Sequence, residues 1–521
     1  MNMKVWKTER PVRQRQDDLS PHGRRYGHSL PPPRPRKPAG WRRFAGLGVL
    51  AALLQLSASC VVGPNYVRPL APVPTAYKET KDWKVAEPKD HLLRGEWWDL
   101  FNDPQLTAIE KQVSVSNQNI AQAEAQFRQA RAAVGVARSA YFPTASIGPS
   151  VQRGYEPATT AVARPLSLWS LPVDVSWVPD LFGRVRRNVE SSRASAQATA
   201  ADLENVRLTM CAEVAEDYFQ LRALDAQKQL LDATVKAYSK SLEMTRNKYT
   251  SGVSSRGDVL QAETQLKTTQ AQEISVGVQR AQLEHAIAML VGKPASDFSI
   301  PFSPLTATPP PIPVGLPSDL LERRPDVAAA ERQMASANAQ IGVAISAYYP
   351  SVTLSASAGF ETLDLGQWFT WPARFWSLGP GTVSETLFEG GLRKFQTEQA
   401  RAAYDATVAS YRQTVLTGFQ EVEDNLSTLR ILEEQALAQA DAVKASQDSL
   451  AVIVNQYGAG IVAYLNVIVA QTTELGNEIT ALNVQGQRMT AAVLLIEALG
   501  GGWDASALST NEQLSQRDSR E

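Results

Sequence analysis

Cysteine is nearly absent from this 521-residue chain. There are two, Cys60 and Cys211, and only Cys211 lies in a helix-forming stretch, so no internal disulfide framework is available to the folded body. Histidine is almost as scarce, with His22, His28, His91 and His285 the whole complement. The spacings HExxH, CxxC, GxSxG and the phosphate-binding loop are all missing, which removes the commonest metallopeptidase, thiol-redox, serine-hydrolase and nucleotide-dependent chemistries. The chain is therefore read as no enzyme, with no catalytic residue, no metal site and no cofactor. The seven methionines do not cluster, which argues against a thioether path for soft metal ions. After Cys60 no apolar run reaches the roughly 18 residues of a transmembrane helix.

Net charge is also nearly absent, at −1, but that balance conceals two parts. Residues 1–43 carry twelve Lys and Arg against Glu9, Asp17 and Asp18, so the remainder is acidic. An acidic body is a poor partner for nucleic acid, and none is expected. The basic head runs into FAGLGVLAALLQLSASC, Phe44 to Cys60, an apolar core too short to span a bilayer and placed like the h-region of a signal peptide. Small residues then precede Cys60, a pattern that resembles a bacterial lipoprotein cleavage site in which the cysteine becomes the lipidated first residue. Leu56 stands four before the cysteine rather than the usual three, and an ordinary secretory signal is the alternative. Residues 1–59 are thus a basic leader and signal peptide, and 60–95 an extended N-terminal segment carrying a covalent lipid on Cys60.

What the chain does have is a repeat. VGVARSAYFP at 134–143 matches IGVAISAYYP at 341–350, and KYTSGVSSRGDV at 248–259 matches QYGAGIVAYLNV at 456–467, 208 positions later. AMLVG at 288–292 and EALGG at 497–501 keep nearly the same offset. A period of this length is duplication of a half-molecule rather than a solenoid. It sets a first repeat at 96–299, a Pro-rich linker at 300–317, a second repeat at 318–502 and a polar tail at 503–521.

Each half reads in the same order. A helix over about 104–140, or 318–347, stops at a Ser-Ala-Tyr-aromatic-Pro run. Two strand-like segments follow, 144–155 and 168–180 in the first half, 351–362 and 374–388 in the second. SVTLSASAGF alternates cleanly, with Val352, Leu354, Ala356, Ala358 and Phe360 on one face and serines, Thr353 and Gly359 on the other. LPVDVSW alternates likewise, whereas 144–155 and 374–388 are placed by repeat symmetry. Long helical hairpins close each half, 184–293 and 392–499. Their first arms are rods of about 65 residues, roughly 100 Å at the α-helical rise. Val415, Val422, Leu429, Ala436, Val443, Leu450 and Tyr457 recur every seventh residue, the spacing of coiled-coil packing. Gly252 and Gly460 mark the hairpin turns.

The fold class is therefore mainly α with a small β part. Four strands leave open edges, which lipid does not tolerate, so strands that alternate apolar with small polar residues call for several chains closing one barrel.

The segments CysValValGlyPro from Cys60, WWDLFNDPQL at 97–106, LERRPDVAAAERQM at 321–334, the two aromatic-Pro stops and the two tips together resemble the TolC/OprM/NodT family of outer membrane efflux lipoproteins. The resemblance spans Cys60 to Trp503. It implies a homotrimer in the outer membrane lipid, with a 12-stranded β-barrel continued by a 12-helix periplasmic α-barrel. It also implies two partners, a periplasmic adaptor (membrane fusion) protein and an inner-membrane pump, usually of the resistance-nodulation-division type. The function implied is the outer-membrane channel of a tripartite efflux system for drugs or other toxic small molecules. A conduit for type I protein secretion or metal-ion efflux is the alternative, and a non-channel periplasmic coiled-coil protein the more distant one.

In the family, polar links and a narrow ring close the tip at rest. Asp258 and Tyr457 match one such link, a hydroxyl-to-carboxylate bond, although Tyr457 also ends the heptad seam and Asp258 also suits a helix N-terminus. Family members often carry charge where this chain has Val462, Asn466 and Val469. With Leu465 kept, the constriction expected here is apolar, formed by Leu465 with Val469, or with Val469 packed between helices instead.

Overall fold

The computed structural model describes residues 61–79, 96–155, 165–312 and 317–508. The leader, Cys60 and the C-terminal tail beyond Leu508 lie outside the described residues, and so do residues 80–95.

Helices α1 (Pro104–Ser116) and α2 (Gln118–Ser139) stand where a single helix over 104–140 is expected. The break has a local cause. Asn117 is extended, and its side chain accepts from the backbone N–H groups of Asn119 and Ile120, so it begins a new helix instead of continuing the old one. The second half breaks at the matching place. A short turn, α5 (Leu320–Arg323), stops at Arg324, which is extended because Pro325 follows it, and α6 (Pro325–Ser346) begins there.

The strands form one antiparallel sheet. Strands β1 (Thr144–Ile147) and β2 (Ser150–Tyr155) both pair with β3 (Pro165–Trp177). Strand β3 pairs with β4 (Ser351–Thr362), and β4 pairs with β5 (Arg374–Leu378) and β6 (Thr382–Ser384). Three strand expectations need correction. The segment 144–155 is broken at Gly148-Pro149, where proline supplies no N–H to the ladder. The segment 374–388 is broken around Gly379-Pro380 and pairs no further than Ser384. The strand expected over 168–180 starts earlier, at Pro165, and ends at Trp177.

The rods are α3 (Arg184–Thr250) and α7 (Leu392–Gly458), each 67 residues long, about 100 Å. Each turns into a 35-residue return helix, α4 (Arg256–Leu290) or α8 (Tyr464–Ala498). A return helix covers only part of its rod, and the 22-residue helices α2 and α6 cover the rest. The main core lies where these pieces meet. It includes Leu106, Tyr218, Phe219, Leu221, Val422, Leu426 and Met489, all fully buried or nearly so. Heptad residues Val214, Leu221, Val415 and Val422 belong to it, so the sevenfold spacing marks the packed seam of both rods. A second, smaller core sits at the hairpin ends and contains Tyr238, Leu242, Leu266, Tyr464 and Val467.

Candidate functional site

Two regions of the chain can carry function: the two-faced sheet at one end of the rods and the paired hairpin turns at the other.

The sheet separates its residues by chemistry. Across the β3–β4 ladder, Trp177 faces Leu354, Val175 faces Ala356, Val173 faces Ala358 and Leu171 faces Phe360. Trp376 and Leu378 of β5 extend that apolar face, and Trp376 is 79% exposed. The other face pairs Ser176 with Ser355 and Asp174 with Ser357, and Ser377 of β5 joins them. An exposed apolar face backed by a polar one is the pattern of a strand with lipid on one side and water on the other. Among the described residues no helix is long and apolar enough to cross a membrane.

At the tips, both glycines adopt the left-handed conformation, φ +74° at Gly252 and +78° at Gly460. Each ends its rod with the same pair of bonds. Gly252 N–H donates to the Tyr249 carbonyl and Val253 N–H to that of Lys248, while Gly460 donates to Tyr457 and Ile461 to Gln456. This is the Schellman arrangement, and a residue with a Cβ would strain it.

The restarts differ. Helix α4 begins with a capping box in which the Ser255 hydroxyl accepts from Asp258 N–H at 3.1 Å and the Asp258 carboxylate accepts from Ser255 N–H at 2.9 Å. The same carboxylate oxygen accepts from the Ser254 hydroxyl at 2.7 Å. Burial would raise the Asp258 pKa, but Ser254 and Ser255, which donate to the carboxylate, outweigh it and hold the carboxyl below its ordinary value. At the equivalent place in α8 stand Ala463, which has no capping side chain, and Asn466. The second tip has lost both partners of the box.

Tyr457 packs into the tip core beside Tyr464, with ring centroids 5.2 Å apart. The Lys248 ammonium lies 4.0 Å from the centre of its ring and donates to its carbonyl at 3.2 Å, tying the first hairpin to the second. Tyr464 hydrogen-bonds Ser241 across 3.0 Å, and Tyr238 donates to the Gln471 carbonyl. Burial pushes the Tyr464 phenol above its ordinary pKa. The Tyr457 hydroxyl is buried without a hydrogen-bond partner. Within one chain the structure therefore does not join Tyr457 to Asp258, whose recorded bonds are those of the helix cap. Leu465 and Val469, 54% and 58% exposed, project away from the chain's own core, as does Asn466.

Lys248, Ser241 and Tyr464 escape sequence reasoning. Their one visible signal is that Tyr464 follows Tyr457 by seven residues across the glycine turn. Cys60 lies outside the described residues, but the segment after it is firmly seated. Arg187, buried on α3, donates to the carbonyls of Val62 and Gly63 and to Asn65 at 2.9–3.1 Å. Tyr66 donates to the Glu331 carboxylate at 2.6 Å. Gly63 lies so close to Gly342 that a Cβ on it would come within 2.4 Å of the Gly342 Cα.

Comparison with known proteins matches residues 111–293 and 316–501 to the model of the outer membrane efflux protein family. The chain is 31% identical over 477 residues to the solvent efflux pump outer membrane protein SrpC of Pseudomonas putida, covering 89% of this chain and 99% of that one. It is 30% identical to the antibiotic efflux pump outer membrane protein ArpC of Pseudomonas putida, covering 89% and 97%. Among solved structures, the outer-membrane channel OprN superimposes with a TM-score of 0.79 at 29% identity, covering 85% of this chain and all of that one.

Proposed function

As the chain belongs to the outer membrane efflux protein family and is an efflux channel component of the outer membrane, we propose that three copies close one conduit through which drugs, solvents or other toxic small molecules leave the cell. The single observation that carries this reading is the two-faced sheet mounted on paired rods of 67 residues. Strands β1 and β2 form one outer edge of the sheet and β5 and β6 the other, and open edges are excluded from lipid. Three sheets, each contributing the β1/β2, β3, β4 and β5/β6 positions, would give twelve strands, and three sets of paired hairpins a twelve-helix tunnel below them. Residue Cys60, two positions before the clamped Val62, would carry the lipid that anchors the chain in the outer membrane. The partners of the assembly would be a periplasmic adaptor and an inner-membrane pump of the resistance-nodulation-division type.

The tip would be the gate. Leu465 and Val469, turned away from the chain's own core, would form an apolar ring able to close by dewetting. The unpartnered Tyr457 hydroxyl would find Asp258 as its acceptor in the closed assembly.

The decisive test is a strain lacking this gene, challenged with antibiotics, dyes and solvents, combined with isolation of the protein from outer membranes. Increased susceptibility, a heat-modifiable trimer and a co-purifying adaptor are expected. Unchanged susceptibility to every compound, with no adaptor bound, would overturn the reading.

A further inference from the structure

The return helices carry their charges on one side and none on another. On α4, Glu273 meets Lys228 at 2.7 Å, Arg280 meets Asp225 at 2.7 Å, and Glu263 reaches Arg246 at 3.5 Å. All three partners belong to α3. On α8, Glu478 accepts from Gln447 of α7, and Arg488 faces Glu433 of α7 at 3.9 Å. These charges are turned toward the rods, while Lys267, exposed on α4, bonds Gln270 of its own helix and lies off the uncharged stripe described next.

A different stripe faces open space. At alternating steps of four and three residues, α4 presents Gln261, Gln265, Thr268, Gln272, Ser275 and Gln279, and the stripe continues to Gln282. No position in it is charged. The equivalent stripe of α8 begins at Val469, beside Leu465, and runs through Thr473, Thr480, Asn483, Gln487 and Thr490. Most of these side chains are exposed. Repetition of an uncharged polar stripe at equivalent positions of two separate helices is not what solvated helix surfaces usually show, since those favour Glu and Lys.

The upper ends of the two stripes meet in one groove of about 940 Å³, which Gln279, Gln282, Gln487 and Thr490 share with Gln220 of α3 and Thr428 of α7. A hollow shared by four neighbouring helices fits the concave side of the wall they form in the conduit reading. The stripes therefore lie on that side.

We propose that this charge-free stripe of amides and hydroxyls is the inner wall of the conduit, and that it makes passage indifferent to the charge of the cargo; this rests on the tunnel reading above. The physical basis is direct. Fixed charges of one sign in a confined aqueous passage concentrate counter-ions and repel co-ions. Amides and hydroxyls offer both donors and acceptors without a net field. From Gln261 to Gln282 the stripe covers about 32 Å of helix. Over that length the return helices would offer organic cations, anions and neutral molecules only hydrogen-bonding groups, after an apolar entrance at Leu465 and Val469.

The test is ion selectivity of the purified full-length protein in planar lipid bilayers at about 0.01 M ionic strength, where charge is screened only beyond about 30 Å. Gln279→Glu combined with Gln487→Glu should raise the cation-to-anion permeability ratio several-fold. Gln279→Lys with Gln487→Lys should lower it by a similar factor. Gln229→Glu, exposed on α3 but half a helical turn away from Gln220, should leave it unchanged. Conducting channels whose selectivity ignores both pairs, or responds equally to Gln229→Glu, would overturn the inference while leaving the channel reading intact. Absence of any channel from the unaltered protein would overturn both.

Discussion

Asn117 donates its side-chain amide to the carbonyl of Leu290 across 2.7 Å, joining the start of α2 to the end of α4. In the second half Arg324 does the same work, donating to the Ala498 carbonyl at 3.0 Å and so joining α6 to α8. Beside each joint a glycine approaches the facing backbone. A Cβ on Gly292 would meet the Ser116 oxygen at 2.3 Å, and one on Gly500 the Arg323 oxygen at 2.2 Å. Two short helices stacked end to end thereby behave as one element long enough to cover a rod.

These joints predict unequal costs. Asn117→Ala removes a helix cap and leaves a buried carbonyl without its donor, which should cost about 2–3 kcal/mol. Arg324 is buried and also binds Asp326 and Glu421 at 2.6–2.7 Å. Arg324→Ala leaves those carboxylates uncompensated and should cost about 3–5 kcal/mol, toward the range for breaking a buried pair. Denaturant melts of the two variants in detergent would rank them, and equal stabilities would contradict the assignment.

Glu110 supplies a pH dependence. Its carboxyl is fully buried on α1 with no nitrogen or hydroxyl donor to either oxygen, and burial raises its pKa well above the ordinary value, only partly offset by the neighbouring Cys211 thiol. A carboxyl whose folded pKa is raised makes its contribution below the unfolded value, near 4.3, and loses it as pH rises toward the folded value. Wild-type stability should therefore fall with rising pH above about 4.3 in a way that Glu110→Gln abolishes. Thermal midpoints of the two proteins from pH 5 to 9 would decide it, with parallel curves ruling the idea out.

Much of this architecture is legible in the sequence because its signals are local. Rod α3 starts at the expected residue 184 and runs 67 residues against an expected arm of about 65, since heptad spacing and a Gly-bounded turn are written within the segment itself. The expected 351–362 strand corresponds to β4 for the same reason, alternation with a period of two. The break at Asn117 goes unread because apolar spacing persists across it and masks its capping effect, and the break at Gly379-Pro380 because that segment is placed by repeat symmetry rather than by its own alternation. The Arg187 clamp and the Lys248–Tyr457 contact join residues more than a hundred positions apart. Contacts of that kind leave no periodic trace, so only the folded chain reveals them. The tip is legible as a place but not as a set of bonds, because Asp258 serves its own helix.

The two faces of the sheet predict opposite tolerances. Val173 lies on the apolar face opposite Ala358, and Ser176 on the polar face opposite Ser355. Val173→Arg should cost about 2–4 kcal/mol if it lies near the middle of the bilayer. Ser176→Arg should change stability little. The yield of heat-modifiable protein in outer membranes reads both, and equal tolerance would mean that the faces are assigned wrongly.

The gate can be separated from the cap because the two use Asp258 differently. Ser255→Ala destroys the capping box but leaves the Asp258 carboxylate available, whereas Tyr457→Phe leaves the box intact and removes the unpartnered hydroxyl. A hydroxyl-to-carboxylate bond that holds the tip shut would contribute about 1.5–3 kcal/mol per site. Its loss should therefore raise the open population by roughly ten- to a hundredfold in single-channel recordings. Tyr457→Phe and Asp258→Ala should each do so, their double variant should add nothing further, and Ser255→Ala should stay near the wild type. Because the bonds from Ser254 and Ser255 hold the Asp258 carboxyl below its ordinary pKa, it stays ionised at pH 5 and takes up a proton only in stronger acid, where the bond from Tyr457 loses its charged acceptor. Channels should accordingly stay closed at pH 5 and open only in stronger acid. If Ser255→Ala opens the tip as much as Tyr457→Phe, Asp258 acts by shaping the turn rather than by binding the tyrosine.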